Sequence, residues 1–159
     1  MKIIICAIAR NEGPYIRDFC EYHFRLGFDE IHLFDNGTDI PVEDPRLTVY
    51  PFRNNSFKSP QMNAYNGMLG GHGYDCTWDW CAFVDIDEFI TMPGISDIHE
   101  YMSGVPEGVD SVAMKSIVYG DSGIIEPEDI SVPVYERLRQ LSKVPLGAYP
   151  KHIVRRSPN

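Results

Sequence analysis

The run Lys2-Ile3-Ile4-Ile5-Cys6-Ala7-Ile8-Ala9 narrows the possible folds more than any other feature of the chain. A strand with one solvated face alternates apolar and polar residues. This run does not alternate, and it is rich in β-branched side chains. It therefore predicts a strand over residues 2–9 that is buried on both faces of a parallel sheet. Such a strand needs helices on either side. The period changes at Asn11-Glu12-Gly13-Pro14, where Pro14 suits the first turn of a helix. Ile16, Phe19, Cys20 and His23 or Phe24 follow at helical spacing, and Gly27 ends the element.

The same alternation of periods continues. Ile31 to Phe34 predicts a second strand, running into the polar turn Asp35-Asn36-Gly37-Thr38-Asp39. Leu47 to Tyr50 predicts a third, stopped by Pro51. Pro60 to Gly70 carries Met62, Tyr65, Met68 and Leu69 at helical spacing and closes at Gly70-Gly71. Cys81 to Val84 is the next buried strand, Ile95 to Met102 a short helix, and Ser111 to Tyr119 strand-like. Beyond residue 120 glycine and proline punctuate loops, Tyr135 to Leu141 has no clear period, and His152 to Val154 suits a last strand. The expected fold is α/β, a Rossmann-type, mainly parallel sheet flanked by helices, in one domain over residues 1–159.

Composition excludes several classes. An apolar share of 43% and an aromatic share of 12% support a real core. The formal net charge of -9 argues against nucleic acid, which is bound by clustered Lys and Arg. The charge is uneven: Arg137, Arg139, Lys143, Lys151, Arg155 and Arg156 crowd the C-terminal end, as a solvated tail or as a local site for an anion. Cys6, Cys20, Cys76 and Cys81 follow no metal or disulfide spacing, and three of the four lie in apolar runs or on an apolar helical face, which suits buried thiols in a reducing compartment. No cleavage site follows the first apolar run, and no stretch approaches the roughly 20 apolar residues that span a bilayer. A cytoplasmic location and no transmembrane segment are expected.

In open α/β sheets ligands bind beyond the carboxyl ends of the strands. The polar clusters of this chain fall there: Arg10-Asn11-Glu12 after the first strand, Asp35-Asn36 after the second, Asp85 to Glu88 after a later one. Asp85-Ile86-Asp87 is the strongest of them. Residues i and i+2 share a side of an extended segment, so both carboxylates can face one ligand. Two such charges repel unless a cation sits between them. A hard divalent ion, Mn2+ or Mg2+, completed by water and diphosphate oxygens, answers that need. A bare D-x-D is more often a solvated turn, and the two other polar strand ends are what favour a site here. Glu88 is placed to orient metal-bound water or a basic neighbour. Asp35 and Asn36 suit either a nucleotide base or ribose, or an ordinary turn before Gly37. Arg10 suits phosphate or Asp85. Gln61, Asn63 and Asn66 open a helix whose amides favour anions. His23 and His32 sit in apolar contexts as packing residues, and Trp78 and Trp80 as core aromatics.

The ordered set Ala9-Arg10-Asn11-Glu12, Glu21-Tyr22-His23 with Gly27, Phe34-Asp35-Asn36-Gly37, Gln61 with Tyr65-Asn66, and Trp80 through Asp85-Ile86-Asp87-Glu88-Phe89 resembles glycosyltransferases of the family 2 and family 92 type. Tyr119-Gly120-Asp121-Ser122-Gly123 and Lys151-His152-Ile153-Val154 are similar to the downstream segments of that group. The resemblance implies a GT-A fold, a manganese or magnesium cofactor and inverting transfer by single displacement. The donor it implies is a nucleoside-diphosphate sugar, of uridine above others, and the acceptor a glycan or lipid-linked one. It puts Ala9 and Glu12 in the uridine pocket, Asp35 on the base, Asp87 on the metal, and Asp85 on the ribose or, through water, the metal. With the strand-end residues, the nucleotide set becomes Ala9, Arg10, Asn11, Glu12, Asp35, Asn36, Gln61 and Asp85. Members usually continue past the position of Asn159, and a later histidine commonly helps to hold the metal, so the resemblance implies either a catalytic domain truncated at its C-terminal end or a natural short version. Asp121 and Glu136 are base candidates by position.

Two other functions share these features. A haloacid-dehalogenase-like phosphatase also uses a strand ending in D-x-D, with the first aspartate as nucleophile, but there the motif normally opens the chain and continues Gly-Thr. A non-catalytic nucleotide-sugar-binding module would need the donor residues without a base.

Overall fold

The computed structural model describes residues 1–52, 59–71, 74, 77–119, 131–137 and 150–157. Its centre is β1 (Ile3–Ala9), followed by α1 (Gly13–Arg25), β2 (Glu30–Asp35), β3 (Leu47–Pro51) and α2 (Pro60–Gly70). Then come β4 (Trp80–Phe83), α3 (Ile98–Ser103), β5 (Ser111–Met114), α4 (Val134–Arg137) and β6 (Lys151–Arg155). The strands form one six-stranded sheet in the order β3-β2-β1-β4-β6-β5.

The unbroken apolar run of β1 is explained by its position, with β2 and β4 parallel on either side. Ile3, Ile5, Ala7 and Ala9 join the cluster that holds Ile16, Phe19, Cys20 and Phe24 of α1. Ile4 and Cys6 join the opposite cluster, with Ala64 and Met68 of α2. Successive side chains of a strand point to opposite faces, so a doubly covered strand must be apolar at every position. The helical spacing of α1 is the complement of that surface. Leu26 caps the helix, and Gly27 turns the chain with φ at +97°. A side chain at Gly27 would start 2.8 Å from an Asp97 carboxylate oxygen.

β3, β2, β1 and β4 are mutually parallel, whereas β6 is antiparallel to both β4 and β5. Five of the six strands thus point one way, and β6 returns between β4 and β5. The chain leaves β1 towards β2 on one side and comes back to β4 on the other. The topological switch point therefore lies between β1 and β4.

Several element boundaries depart from the expected ones. β4 is Trp80–Phe83 instead of residues 81 to 84: Trp80 already pairs with Ile3 and Arg155, and Val84 keeps a long, 3.4 Å hydrogen bond from its amide to the Cys6 carbonyl as the chain turns into the acidic segment. α3 begins at Ile98, not Ile95, since Asp97 accepts from the His99 and Glu100 amides and so fixes the start. β5 stops at Met114 instead of reaching Tyr119. Its partner in the ladder there is Lys151, the first residue of β6, and Pro150 before it has no N–H to continue the pairing. Cys6, Cys20 and Cys81 are buried free thiols, and burial, then Asp44 and Glu21, push the Cys20 thiol up to about 12. Cys76 lies outside the described residues. No helix among the described residues is long and apolar enough to cross a membrane.

Candidate functional site

The carboxyl ends of β1 and β4 deliver Arg10 to Glu12 and Asp85 to Glu88 to one crevice. Asn11 takes a left-handed backbone, with φ at +59°, a conformation that asparagine tolerates better than other non-glycine residues. Glu12 then sits at the cap position of α1, and its carbonyl accepts from the Tyr15 and Ile16 amides. Burial raises the pKa of the Glu12 carboxyl, and the negative charges of Asp87 and Asp85 raise it further. Three carboxylates from two strand ends therefore share one electrostatic environment.

The acidic turn is self-bracing. Its first amide, on Asp85, donates to Glu88 Oε2 at 2.9 Å, and the Glu88 amide donates back to the Asp85 carbonyl at 3.0 Å. Asp85 is half-buried, Ile86 after it is buried in the core, and Asp87 is exposed. Helix α2 supports the turn from one face. Gln61 Nε2 donates to Asp85 Oδ1 and, at 3.2 Å, to the Tyr65 hydroxyl, which donates to the Val84 carbonyl at 3.2 Å. Burial raises the Tyr65 pKa, so the phenol stays a neutral donor.

A cation completes the cluster. Lys151 Nζ lies 2.6 Å from Asp85 Oδ2 and 3.1 Å from Glu88 Oε2, with a quarter of the side chain exposed. Burial alone would lower the lysine pKa, but hydrogen bonds to Asp85 and Glu88 outweigh it and raise it. The basic partner of Asp85 is thus Lys151. Arg10 is exposed and makes no ion pair with Asp85 among the described contacts.

A second brace lies behind the turn. Ile90 donates its amide to His23 Nε2 at 3.3 Å, and its carbonyl accepts from the Tyr22 hydroxyl at 2.9 Å. His23 Nδ1 faces the Phe19 carbonyl at 2.9 Å, so the ring is the neutral tautomer with Nδ1 protonated. Phe89 stacks on His23 with ring centroids 5.9 Å apart. Burial pushes the His23 pKa down to about 4 from 6.5, partly opposed by the Phe19 carbonyl. A histidine lowered in this way stabilises the fold fully above its unfolded pKa, and the stability is lost as pH falls from about 6.5 towards 4. The loss amounts to roughly 3 kcal/mol. Denaturant titrations between about pH 7 and pH 4.5 should show this decline in the native chain and a flatter profile in His23→Gln. Parallel profiles would contradict the assignment.

The remaining expected residues are placed as follows. Ala9 and Asp35 are register partners at the ends of β1 and β2, and the Asn36 amide donates to the Ala9 carbonyl at 2.9 Å. Asp35 Oδ1 accepts from the Gly37 and Thr38 amides at 2.8 and 2.7 Å, which is an Asx turn. Its Oδ2 takes no hydrogen bond among the described residues. Glu136 lies on α4, which docks on α1 through Tyr135, and its electrostatic neighbour is Arg25, at the far end of α1 from Glu12. Asp121 is outside the described residues. Two open depressions, of about 520 and 740 Å³, lie elsewhere, one along Arg17, Phe24 and Arg46 and one by Trp78, Trp80 and Arg155. Neither includes the acidic turn.

The chain is similar to family 92 glycosyltransferases. It is 26% identical over 105 residues to a glycosyltransferase family 92 protein of Oryza sativa subsp. japonica, a match that covers 64% of this chain. It is 22% identical over 137 residues, 77% of the chain, to one of Ricinus communis. The chain spans 18% and 24% of the lengths of these two relatives. No protein-family profile matches it. The likenesses support a relationship to family 92.

The acidic crevice gathers Glu12, Asp85 and Asp87 in one electrostatic environment, with Glu88 bracing Asp85. Its donor set is entirely oxygen, which fits Mg2+ or Mn2+. The described residues contain no ready cluster of three ligating side chains. They fit the kind of magnesium site in which one or two carboxylates hold the ion and substrate phosphates complete it. Tyr65 and Lys151 stand in the segments that carry the resemblance, but their roles at the acidic turn, like the Ile90 brace, escaped sequence reasoning. The basic C-terminal end and the segment Lys151 to Val154 were the signals that pointed to the lysine.

Proposed function

We propose that the crevice between β1 and β4 is the donor site of a metal-dependent, GT-A-type glycosyltransferase. It moves a sugar from a nucleoside diphosphate, chiefly uridine diphosphate, to a glycan or lipid-linked acceptor with inversion. The observation that carries this reading is the convergence of Glu12, Asp85 and Asp87 on one electrostatic site at the switch point of the sheet. The family 92 likeness supplies the reaction class.

In this reading Asp87, exposed at the tip of the turn, and Asp85 behind it hold Mn2+ or Mg2+. Such an ion, when bound, neutralises the charge that builds on the diphosphate as the bond to the sugar breaks. Gln61 and the Glu88 brace keep Asp85 oriented while the nucleotide enters. Ala9, Arg10, Asn11 and Glu12 line one wall of the nucleotide pocket. Asp35, through Oδ2, and Asn36 meet the base or ribose. Inversion needs a base to take the proton of the acceptor hydroxyl. Asp121 and Glu136 are assigned to that step by sequence position, and the seat of Glu136 beside Arg25 favours Asp121.

Calorimetry with UDP and GDP, with and without Mn2+, tests the reading. UDP should bind in a strictly Mn2+-dependent way, and Asp87→Ala should remove that dependence. Equal binding with and without metal, together with an unaffected Asp87→Ala, would sink it.

A further inference from the structure

Lys151 stands where a donor phosphate would need a cation. It opens β6, one residue before His152, which pairs with Phe83 of β4. The antiparallel return of β6 therefore carries the ammonium to the carboxyl end of β4, beside the acidic turn. There it is held by two carboxylates, Asp85 at 2.6 Å and Glu88 at 3.1 Å. Asp85 in turn shares an electrostatic field with Glu12 and Asp87, so the crevice around the ion pair is predominantly acidic. A diphosphate cannot approach such a surface until more positive charge is added.

The contact with Asp85 matters most. Asp85 Oδ2, the oxygen that Lys151 occupies, is on a carboxylate that the donor-site reading gives to the metal. Oδ1 is taken by Gln61. A divalent ion and the ammonium therefore compete for one side chain. The lysine stem is long, flexible and partly exposed, and its head is a compact charge with three donors, well suited to a phosphate oxygen.

Resting on the donor-site reading, we propose that Lys151 is a stored ligand for the donor diphosphate: it neutralises Asp85 and Glu88 in the empty crevice, yields Asp85 to the divalent ion, and then pairs with a diphosphate oxygen. The internal ion pair keeps the acidic turn in shape before the substrate arrives. It also links the two binding events, because the ion frees the lysine that the diphosphate needs.

Two calorimetric titrations of the chain, with MnCl2 alone and with UDP in saturating MnCl2, test this on Lys151→Met. Removing the competing ammonium should leave Mn2+ alone binding as tightly or up to about fivefold tighter, the size of a partly exposed ion pair. UDP binding with Mn2+ should weaken by about 10- to 100-fold, the loss of a charged hydrogen bond. Lys151→Gln repeats the measurement with a polar, uncharged side chain, should the methionine variant fold poorly. A lysine that merely held the turn in shape would lower both affinities together on removal. That result, or unchanged UDP binding, overturns the proposal while leaving the donor-site reading intact. Native chain that binds no UDP with Mn2+ overturns both.

Discussion

Asp85→Asn is expected to weaken Mn2+-dependent UDP binding by at least about 100-fold, since losing a metal ligand exceeds the roughly 10- to 100-fold attached to its outer partners. The substitution preserves shape. An asparagine amide can still accept from Gln61 Nε2, so the support from α2 survives. What is lost is the charge that faces Lys151, and Lys151 keeps Glu88 at 3.1 Å. Asp85 is 40% exposed, so the stability change should stay within about 1 kcal/mol. Binding and stability therefore separate, which is the signature of a charge used for a ligand. Asp85→Ala should bind no better and lose somewhat more stability, because Gln61 then keeps only the Tyr65 hydroxyl as an acceptor. Combining Asp85→Asn with Lys151→Met should give less than the sum of the two single losses, as partners in one ion pair do. Full additivity, or an Asp85→Asn chain that still binds UDP and Mn2+ normally, would place the ion elsewhere.

The largest effect on stability is expected at Phe19. It is fully buried, tilts on the His23 ring at 4.4 Å and meets the Phe89 edge at 6.3 Å. Phe19→Ala leaves a cavity between α1 and the sheet and should cost about 3–5 kcal/mol. Whole domains are stable by only about 5–15 kcal/mol, so the loss approaches half. The urea midpoint should fall by roughly 2 M at an ordinary slope. Phe19→Leu, which refills most of the space, should cost less than about 2 kcal/mol. The substitution also undermines the site, because His23 and Phe89 brace the segment that follows the acidic turn. A midpoint that barely moves would mean that α1 does not pack on the sheet through this face.

Local spacing was informative wherever one residue's direction decides its neighbour's. The both-faced burial of β1 is visible in Ile3 to Ala9, because side chains alternate along a strand and none is polar. The buried face of α1 is visible in Ile16, Phe19, Cys20 and Phe24, because a helix repeats its direction every three to four residues. Spacing failed where a boundary depends on a capping contact or a ladder partner. Asp97 and Pro150 end or begin elements for reasons that lie outside the apolar pattern.

By itself, then, the sequence determined an α/β chain with acidic residues at the ends of its strands, since period and polarity are local properties. The tertiary structure decided which strand ends meet. Only the order β3-β2-β1-β4 sets the Asp85 turn beside Glu12, and only the antiparallel β6 brings Lys151 to Asp85 across 66 positions of sequence. Strand order and register follow from how both faces of the whole sheet are covered at once, a condition that no short window of residues contains.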